Sequence, residues 1–206
     1  MLNGNRMKSG RERSPRDFYE TPIELAIKAM DRLYEDENLP INLRGLDAGC
    51  GNGIWGVAST ILPVNKVIDG IDIELQDIVT CAFYSSVITG NFLEYKSDYA
   101  YDIVFGNPPY SLAEEFIRHS FTLLKEGGYI YFLLRLSFLE GIGRGKYLFK
   151  NYPPKRVYVC SRRPSFFSTG NRHTTDTLAY AMFLWQEGYE DRPEIDFLDW
   201  EYEKWK

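Results

Sequence analysis

From residue 43 onward, short apolar runs alternate with segments of helical periodicity. The runs that we expect to form strands cover residues 43–47, 66–73, 87–92, 101–106, 129–136, 156–161 and 178–185. We expect a first helix over 22–36 and further helices over 53–61, 74–85, 112–125 and 141–151. This alternation predicts an α/β fold, with a mostly parallel seven-stranded sheet, helices on both faces and an antiparallel edge strand.

Two of the expected helices begin at a capping-box signal. Thr21, Pro22 and Glu24 open the first, with proline expected at the first helical position. Ser111 and Glu114 open the helix over 112–125 in the same way. We expect that helix to end at the glycine pair 127–128, where a left-handed cap is favoured.

Length and charge suggest one main domain with two short appendages. The 206 residues allow one hydrophobic core, which we place in residues 17–189. Residues 1–16 hold five basic residues and one acidic residue, so we expect a flexible basic arm. Residues 190–206 are expected to form an acidic aromatic tail. Nothing in the sequence indicates a separate target-recognition domain.

Composition excludes several classes of protein. The net charge of −5 argues against a protein that coats nucleic acid through an overall excess of lysine and arginine. The three cysteines and two histidines have no metal-ligand spacing, so we expect neither a metal site nor a disulfide framework. No apolar run is long enough to cross a membrane, and the chain starts without a signal-peptide pattern. We therefore expect a cytoplasmic protein without membrane association.

A glycine-rich turn follows the first expected strand, and an acidic residue ends the second. Asp47, Gly49 and Gly51 belong to an Asp-x-Gly-x-Gly-x-Gly segment, which differs from the dinucleotide pattern. Asp72, followed by Ile73, stands where a carboxylate can bind ribose hydroxyls. The Asp47 carboxylate would repel a pyrophosphate but attract a cation. The segment resembles the first motif of Rossmann-like class I methyltransferases, whose cofactor S-adenosylmethionine is cationic.

An Asn-Pro-Pro-Tyr tetrapeptide, Asn107-Pro108-Pro109-Tyr110, follows the fourth expected strand. The two prolines remove N–H donors, so we expect their carbonyls to remain as outward-facing acceptors. Asn107 and the Pro108 carbonyl could accept both hydrogens of an exocyclic amino group while Tyr110 stacks on the base, and no strong general base is needed. The tetrapeptide resembles the fourth motif of amino-group methyltransferases, which act on adenine, on some rRNA guanines or on protein glutamine.

Two further segments resemble cofactor-binding motifs of this family. Tyr19, Thr21 and Pro22 lie in a Phe-Tyr-x-Thr-Pro element, similar to one that many DNA adenine methyltransferases place over the cofactor's methionine end. Asn91 and Phe92 resemble the third motif, in which Asn91 replaces the usual acidic residue. The resemblance implies that these residues, together with Asn107, contact S-adenosylmethionine.

Two segments after residue 160 read Arg-Arg-Pro-Ser-Phe-Phe over 162–167 and Thr-Thr-Asp-Thr-Leu-Ala-Tyr over 174–180. They resemble the end of small phage-type DNA N6-adenine methyltransferases. Residues 135–172 hold nine basic residues against one acidic residue, so DNA contacts are expected there. The expected DNA-binding residues are Arg144, Lys146, Arg162, Arg163, Ser165, Phe166 and Arg172. Adenine cannot be reached inside a duplex, so the resemblance also implies base flipping.

Alternatives remain open at this point. The same chemistry could act on an rRNA base or on protein glutamine, and a non-catalytic subunit with the same fold is a third reading. The expected partner is adenine-containing DNA, bound by a monomer or weak dimer, with a partner protein as a possible aid to target recognition.

Overall fold

The computed structural model describes residues 20–74, 82–164, 166 and 177–200. Three site residues expected from the sequence, Tyr19, Ser165 and Arg172, lie outside this part of the chain. The expected basic arm, residues 75–81 of the expected helix over 74–85, and residues 201–206 of the tail also lie outside it.

The described residues form helices on both sides of a single sheet. The α-helices are α1 (Ile23–Asp36), α2 (Ile54–Ser59) and α3 (Ala113–Phe121). The strands are β1 (Asn42–Ala48), β2 (Asn65–Asp72), β3 (Ser86–Thr89), β4 (Tyr101–Gly106), β5 (Leu124–Arg135), β6 (Arg156–Cys160), β7 (Tyr180–Gln186) and β8 (Glu194–Leu198). Short 3-10 turns lie at Phe92–Glu94, Tyr110–Leu112 and Leu136–Leu139, and a π-helical turn lies at Arg144–Leu148 within the helix expected over 141–151.

The sheet has the strand order β3-β2-β1-β4-β5-β7-β6-β8. β7 runs antiparallel to both β5 and β6, and the other neighbouring strands run parallel. This confirms the predicted mostly parallel α/β fold. The antiparallel strand lies near one edge of the sheet but is not outermost, because β6 and β8 lie beyond it.

An eighth strand extends the sheet beyond the seven that the sequence predicted. β8 pairs in parallel with β6, so part of the segment expected as a tail belongs to the sheet. Ile195 and Phe197 on β8 are exposed, whereas Leu198 is buried. Polar and apolar residues alternate from Glu194 to Phe197, but the alternating apolar side chains face solvent instead of the core, so β8 is not the half-buried strand that such a pattern indicates.

Two hydrophobic clusters cover the two faces of the sheet. Successive β5 side chains alternate between them: Tyr131 and Leu133 belong to the first cluster, and Ile130 and Phe132 to the second. The first cluster includes the buried side chains of α1 and α2, and the second includes those of α3. The helices that follow β1 and β4 therefore pack on opposite faces.

α1 begins at Ile23, one residue later than expected, and its capping box does not form. Pro22 precedes the helix, and no side chain caps it. The Thr21 hydroxyl instead accepts hydrogen bonds from the side chains of Trp55 and Asn107. The expected cap is wrong because long-range contacts use the hydroxyl that would have made it.

α3 also departs from its predicted ends. A 3-10 turn precedes it, no side chain caps it, and Glu114 accepts hydrogen bonds from Arg118 four residues later. The helix ends at Phe121 and β5 begins at Leu124, so the expected end at Gly127 is wrong. Gly127 has a φ of 71°, but it lies inside β5, after Leu124, which pairs with Tyr101 of β4.

The described residues contain no helix long and apolar enough to cross a membrane. Within the same residues, no group of three or more histidine, cysteine, aspartate or glutamate side chains could hold a metal ion.

An ion-pair network joins the end of α1 to the start of β6, on the side of the sheet opposite the glycine turn. Lys155 Nζ lies 2.6 Å from Glu37 Oε2, and the Glu37 side chain is only 2% exposed. Arg156 contacts Asp36 at 3.0 Å and Glu37 at 3.5 Å. A buried carboxylate is costly without a cation, so Glu37 makes the folded state depend on Lys155 and Arg156.

Replacing Lys155 with methionine tests this dependence. We expect Lys155→Met to lower the free energy of unfolding by about 2 to 3 kcal/mol, because it leaves Glu37 buried with Arg156 as its remaining close cation. Lys125→Met is the matched control, since Lys125 pairs with Asp102 and is 47% exposed. It should cost less than about 1 kcal/mol. Urea denaturation measures both values, and equal losses would contradict the assigned burial cost.

Candidate functional site

The expected cofactor and catalytic residues meet at the carboxyl ends of β1, β2 and β4. β1 lies between β2 and β4, so the segments leaving these strands emerge side by side. The strand order reverses at β1 and β4, and the following helices α2 and α3 cover opposite faces. Open α/β sheets bind ligands in the crevice that such a reversal creates.

The glycine turn after β1 is fixed to the end of β2. Gly49, Gly51 and Gly53 have φ values of 79°, 48° and 83°, a region that side chains with a Cβ disfavour. The N–H groups of Gly49 and Cys50 donate to the Ile71 carbonyl at 2.8 and 3.0 Å. The turn therefore follows a backbone path that depends on glycine and brings it beside β2.

Asp72, the last residue of β2, is bonded to the glycine turn and precedes an exposed apolar residue. Its carboxylate accepts hydrogen bonds from the N–H groups of Gly51, at 2.8 Å, and Glu74, at 3.0 Å. Burial raises the pKa of Asp72, and the N–H groups of Gly51 and Ile73 oppose that rise. Ile73 is 69% exposed, so an apolar surface lies next to a carboxylate that can accept further hydrogen bonds.

Asp47 is fully buried at the end of β1. Its Oδ2 accepts a 2.6 Å hydrogen bond from the Tyr84 hydroxyl, whereas its Oδ1 has no hydrogen-bond partner among the described residues. Burial raises the pKa of Asp47 to about 7, the Tyr84 hydrogen bond lowers it, and the charge of Asp72 raises it. A buried carboxylate oxygen without a donor is a place where a cationic ligand gains free energy.

Tyr84 belongs to the site, although no motif indicated it. Its hydroxyl also accepts a hydrogen bond from the Gly56 N–H at 3.1 Å, in the first turn of α2. A Cβ on Gly56 would lie 2.5 Å from the Tyr84 ring, so glycine is required there. Tyr84 thus links α2 to Asp47 through a contact between residues far apart in the sequence.

Asn107 is held by residues that precede α1. Its Nδ2 donates to the Thr21 hydroxyl at 3.2 Å, and Trp55 Nε1 donates to the same hydroxyl at 3.3 Å. Gly106, just before it, has a φ of 141°, and a Cβ there would lie 2.9 Å from Asp47 Oδ1. The ends of β1 and β4 can approach this closely because residue 106 is glycine.

A second contact joins the segment before α1 to the glycine turn. Asn52 Nδ2 donates to Glu20 Oε1 at 2.5 Å. Together with the Thr21 contacts, it ties the segment before α1 both to the glycine turn and to Asn107. The sequence separated them by up to 86 residues.

The Asn-Pro-Pro-Tyr segment leaves the sheet through a tight turn. Pro108 is buried, and the Pro109 carbonyl accepts a hydrogen bond from the Leu112 N–H at 2.9 Å. The expectation that both proline carbonyls remain open acceptors is therefore wrong for Pro109, because its carbonyl closes the turn.

Tyr110 lies between aromatic and cationic neighbours. The Arg135 guanidinium lies 4.9 Å from the centre of its ring, and the Tyr180 ring lies 5.7 Å away. Phe166 packs edge-on against Tyr180 at 4.8 Å and is only 7% exposed. The structure thus places Phe166, an expected DNA-binding residue, in the core behind Tyr110.

The third expected motif follows β3, which lies two strands from β1 in the sheet. Asn91 is exposed, and its side chain accepts a hydrogen bond from the Leu93 N–H and donates one to Glu94. Phe92 is 3% exposed and stacks on Phe116 at 4.6 Å. Its ring therefore belongs to the core on the α3 face.

The described basic residues follow β5 and β6, on the side of the sheet where these two strands end. Arg144 lies 4.9 Å from the Phe138 ring centre and donates to the carbonyls of Phe138 and Glu140. Lys146 and Arg163 are exposed, and Arg162, exposed as well, lies 5.8 Å from the Trp200 ring. β6 runs parallel to β5, so Arg162 and Arg163 emerge on the side of Asn107.

No protein-family model matches this sequence, and no curated protein matches it either. The structure does resemble solved methyltransferases. A protein of Listeria monocytogenes described as a class I S-adenosylmethionine-dependent methyltransferase aligns with a TM-score of 0.66 and 15% identity over 87% of this chain. This chain spans 64% of the length of that protein.

Two further structures have the same fold. The N-methyltransferase NodS of Bradyrhizobium japonicum aligns with a TM-score of 0.53 and 13% identity, over 78% of this chain and 93% of its own. The plantazolicin methyltransferase BpumL, solved with S-adenosylhomocysteine, aligns with a TM-score of 0.54 and 16% identity, over 82% of this chain and 86% of its own. The chain therefore has the Rossmann-like class I methyltransferase fold.

The residues at the carboxyl ends of β1 and β2 fit S-adenosylmethionine. The Asp47 oxygen without a donor suits a cationic group, whose charge would favour the ionised carboxylate over its protonated form. Asp72 retains acceptor capacity for ribose hydroxyls. The exposed Ile73 beside it offers an apolar surface for an adenine ring. Gly49 and Gly51 hold the turn against the end of β2 through the Ile71 carbonyl and the Asp72 carboxylate, and Thr21 binds Asn107 at the end of β4.

The raised pKa of Asp47 makes stability depend on pH. In the unfolded chain the carboxyl loses its proton near its ordinary pKa of 3.8, whereas the folded protein holds that proton up to about pH 7. The unfolded state therefore binds fewer protons between these values, and Asp47 lowers the free energy of unfolding as pH rises through that range. We expect urea denaturation of Asp47→Asn to lack this decline.

Tyr84→Phe is the companion variant. It removes the hydrogen bond that lowers the Asp47 pKa, so the decline should extend to higher pH than in the wild type. Identical pH profiles for the wild type and Asp47→Asn would contradict the assignment of the decline to Asp47.

Proposed function

We propose that this protein is an S-adenosylmethionine-dependent methyltransferase that methylates the exocyclic N6 amino group of adenine in DNA, by direct in-line transfer after base flipping. The observation that carries the proposal is the position of Asn107, at the end of β4, next to the glycine turn and bonded to Thr21. The amino-group methyltransferase motif and the candidate cofactor site are thus adjacent. Asn107 and Tyr110 are the residues proposed to contact the base.

The proposed chemistry requires hydrogen-bond acceptors. When bound, S-adenosylmethionine supplies an electrophilic methyl group. The Asn107 Nδ2 donates to Thr21, so the amide oxygen Oδ1 is the Asn107 atom proposed to act on the base. Oδ1 and the Pro108 carbonyl would accept the two hydrogens of N6, so that its lone pair becomes available to the methyl carbon. The new N–C bond forms as the S–C bond breaks, and N6 then releases one proton to water.

Nucleic acid is favoured over protein glutamine by the charges beside Asn107. Four basic residues lie on the side of the sheet where β4 ends and the tetrapeptide follows: Arg144, Lys146, Arg162 and Arg163. Neighbouring strands lie about 4.8 Å apart, so the end of β6 lies about 14 Å from the end of β4. A polynucleotide with its base near Asn107 could therefore place phosphates near these cations.

Asn107→Ala tests the proposed chemistry. We expect the rate of tritiated methyl transfer to DNA to fall at least about 100-fold, because the acceptor that acts on N6 is lost. Asn65→Ala is the matched control, since Asn65 is exposed at the start of β2, on the opposite edge of the sheet. It should leave the rate unchanged.

The same assay decides between substrates when DNA, RNA and protein are offered together. Label in DNA that is lost in Asn107→Ala supports the proposal. Label only in RNA or only in protein overturns the DNA substrate but keeps the methyl-transfer chemistry. An absence of transfer to all three overturns the enzymatic proposal.

Asp72→Asn tests the cofactor site separately from the chemistry. The amide keeps one oxygen for the Gly51 N–H but loses acceptor capacity for the ribose, so the dissociation constant of S-adenosylhomocysteine should rise about tenfold. Calorimetric titration measures the change. Asp98→Asn, at an exposed position in the segment before β4, should leave the constant unchanged, and equal constants for both variants would remove Asp72 from the site.

A further inference from the structure

A cleft of about 270 Å³ lies directly beside Tyr110, outside the candidate cofactor site. The start of α3 and the end of β5 form its walls, and the π-helical turn contributes Arg144. This volume lies just below the range of about 300 to 1,000 Å³ that small-molecule sites occupy. The cleft therefore fits a chemical group of a larger substrate.

The polar side chains of the cleft suit an anion. Arg135 and Arg144 supply two guanidinium groups, and Ser111 and Ser137 supply two hydroxyls. Among the described residues, no carboxylate lines the cleft. Two cations in one cleft repel each other, and an anion between them would relieve that repulsion.

Both guanidinium groups are held in place by aromatic rings. Arg135 lies 4.9 Å from the centre of the Tyr110 ring, and Arg144 lies 4.9 Å from that of Phe138. Arg144 uses Nε and one further N–H for the carbonyls of Phe138 and Glu140, which leaves three of its five N–H donors. Planar groups with several fixed donors match the oxygen atoms of a phosphate.

We infer that this cleft binds a backbone phosphate of the substrate next to the target nucleotide, with Arg135 and Arg144 as its ligands. The inference rests on the proposed function and deepens it, because it makes a phosphodiester part of what the site recognises. Arg135 then contacts both the phosphate and the Tyr110 ring. Phosphate binding would thereby fix the tyrosine on which the base is proposed to stack.

The phosphate contact can be tested by pairing a protein variant with a neutral substrate linkage. Mapping of DNA methylated by the wild-type protein gives the target adenine, and oligonucleotides are made around it with single methylphosphonate linkages. At the contacted phosphate, we expect the neutral linkage to raise KM about tenfold for the wild type. Arg135→Gln should raise KM similarly on the natural oligonucleotide and show no further rise with the neutral linkage.

Arg118→Gln is the matched control. Arg118 also lies over a tyrosine ring, that of Tyr152 at 5.9 Å, but on a part of α3 that does not line the cleft. It should respond to the neutral linkage as the wild type does. An Arg135 that only positioned Tyr110 would lower kcat on both oligonucleotides and leave the linkage effect intact.

The possible outcomes separate the two proposals. Loss of the linkage effect in Arg135→Gln supports the phosphate contact. If DNA is methylated but the neutral linkage raises KM equally in the wild type and Arg135→Gln, the phosphate contact is overturned and the proposed function is kept. The same holds if the neutral linkage raises KM in neither protein. Methyl transfer to protein alone overturns both.

Discussion

The reversal of strand order between β1 and β4 is the constraint on which the rest of the site depends. β1 continues into α2 on one face, and β4 leads to α3 on the other, so the chain diverges at their carboxyl ends. Gly106 keeps the two strand ends close together, because its lack of a Cβ lets the end of β4 approach Asp47. Two chemically different groups, a buried carboxylate and the Asn107 amide, thus lie on neighbouring strands.

Thr21 converts this crevice into one connected site. Its hydroxyl accepts from Trp55 of α2 and from Asn107, so the segment before α1, α2 and the end of β4 meet at one polar atom. Thr21 makes these long-range contacts instead of capping α1, so α1 begins without a side-chain cap. Packing of its buried apolar face, which includes Leu25, Met30 and Leu33, holds the helix in place instead.

Local patterns in the sequence predicted most strands and the motifs at their ends. β4 was predicted with its observed bounds, and β1 and β2 to within one residue at each end, because buried parallel strands are short apolar runs bounded by turns. Asp47, Asp72 and Asn107 followed from their positions at the carboxyl ends of those strands. These are features that neighbouring residues specify.

Features set by distant contacts could not be predicted in this way. Tyr84 has no motif, and its role comes from reaching Asp47, 37 residues away. β8, which the sequence did not predict, depends on pairing with β6, and its Asp196 pairs with Arg32 of α1 while Ile195 and Phe197 face solvent. Gly127 has the left-handed φ expected of a helix end, yet it occurs inside a strand. One local conformation can serve several structures, so tertiary pairing decides which is formed.

Charge is distributed along the sheet in the order that the proposed reaction requires. Asp47 and Asp72 end β1 and β2, whereas Arg135, Arg162 and Arg163 follow β5 and β6. Five strand spacings, about 24 Å, separate Asp72 on β2 from Arg162 and Arg163 beyond β6, which exceeds the Debye length of about 8 Å at physiological salt, whereas Asp47 and Arg135 are two spacings, about 10 Å, apart. A cationic cofactor beside Asp72 and an anionic polynucleotide beside Arg162 and Arg163 could therefore each meet favourable charge. The uncharged Asn107 directly follows β4 between them, where an acceptor is needed and a full negative charge would be drawn towards the nearby arginines.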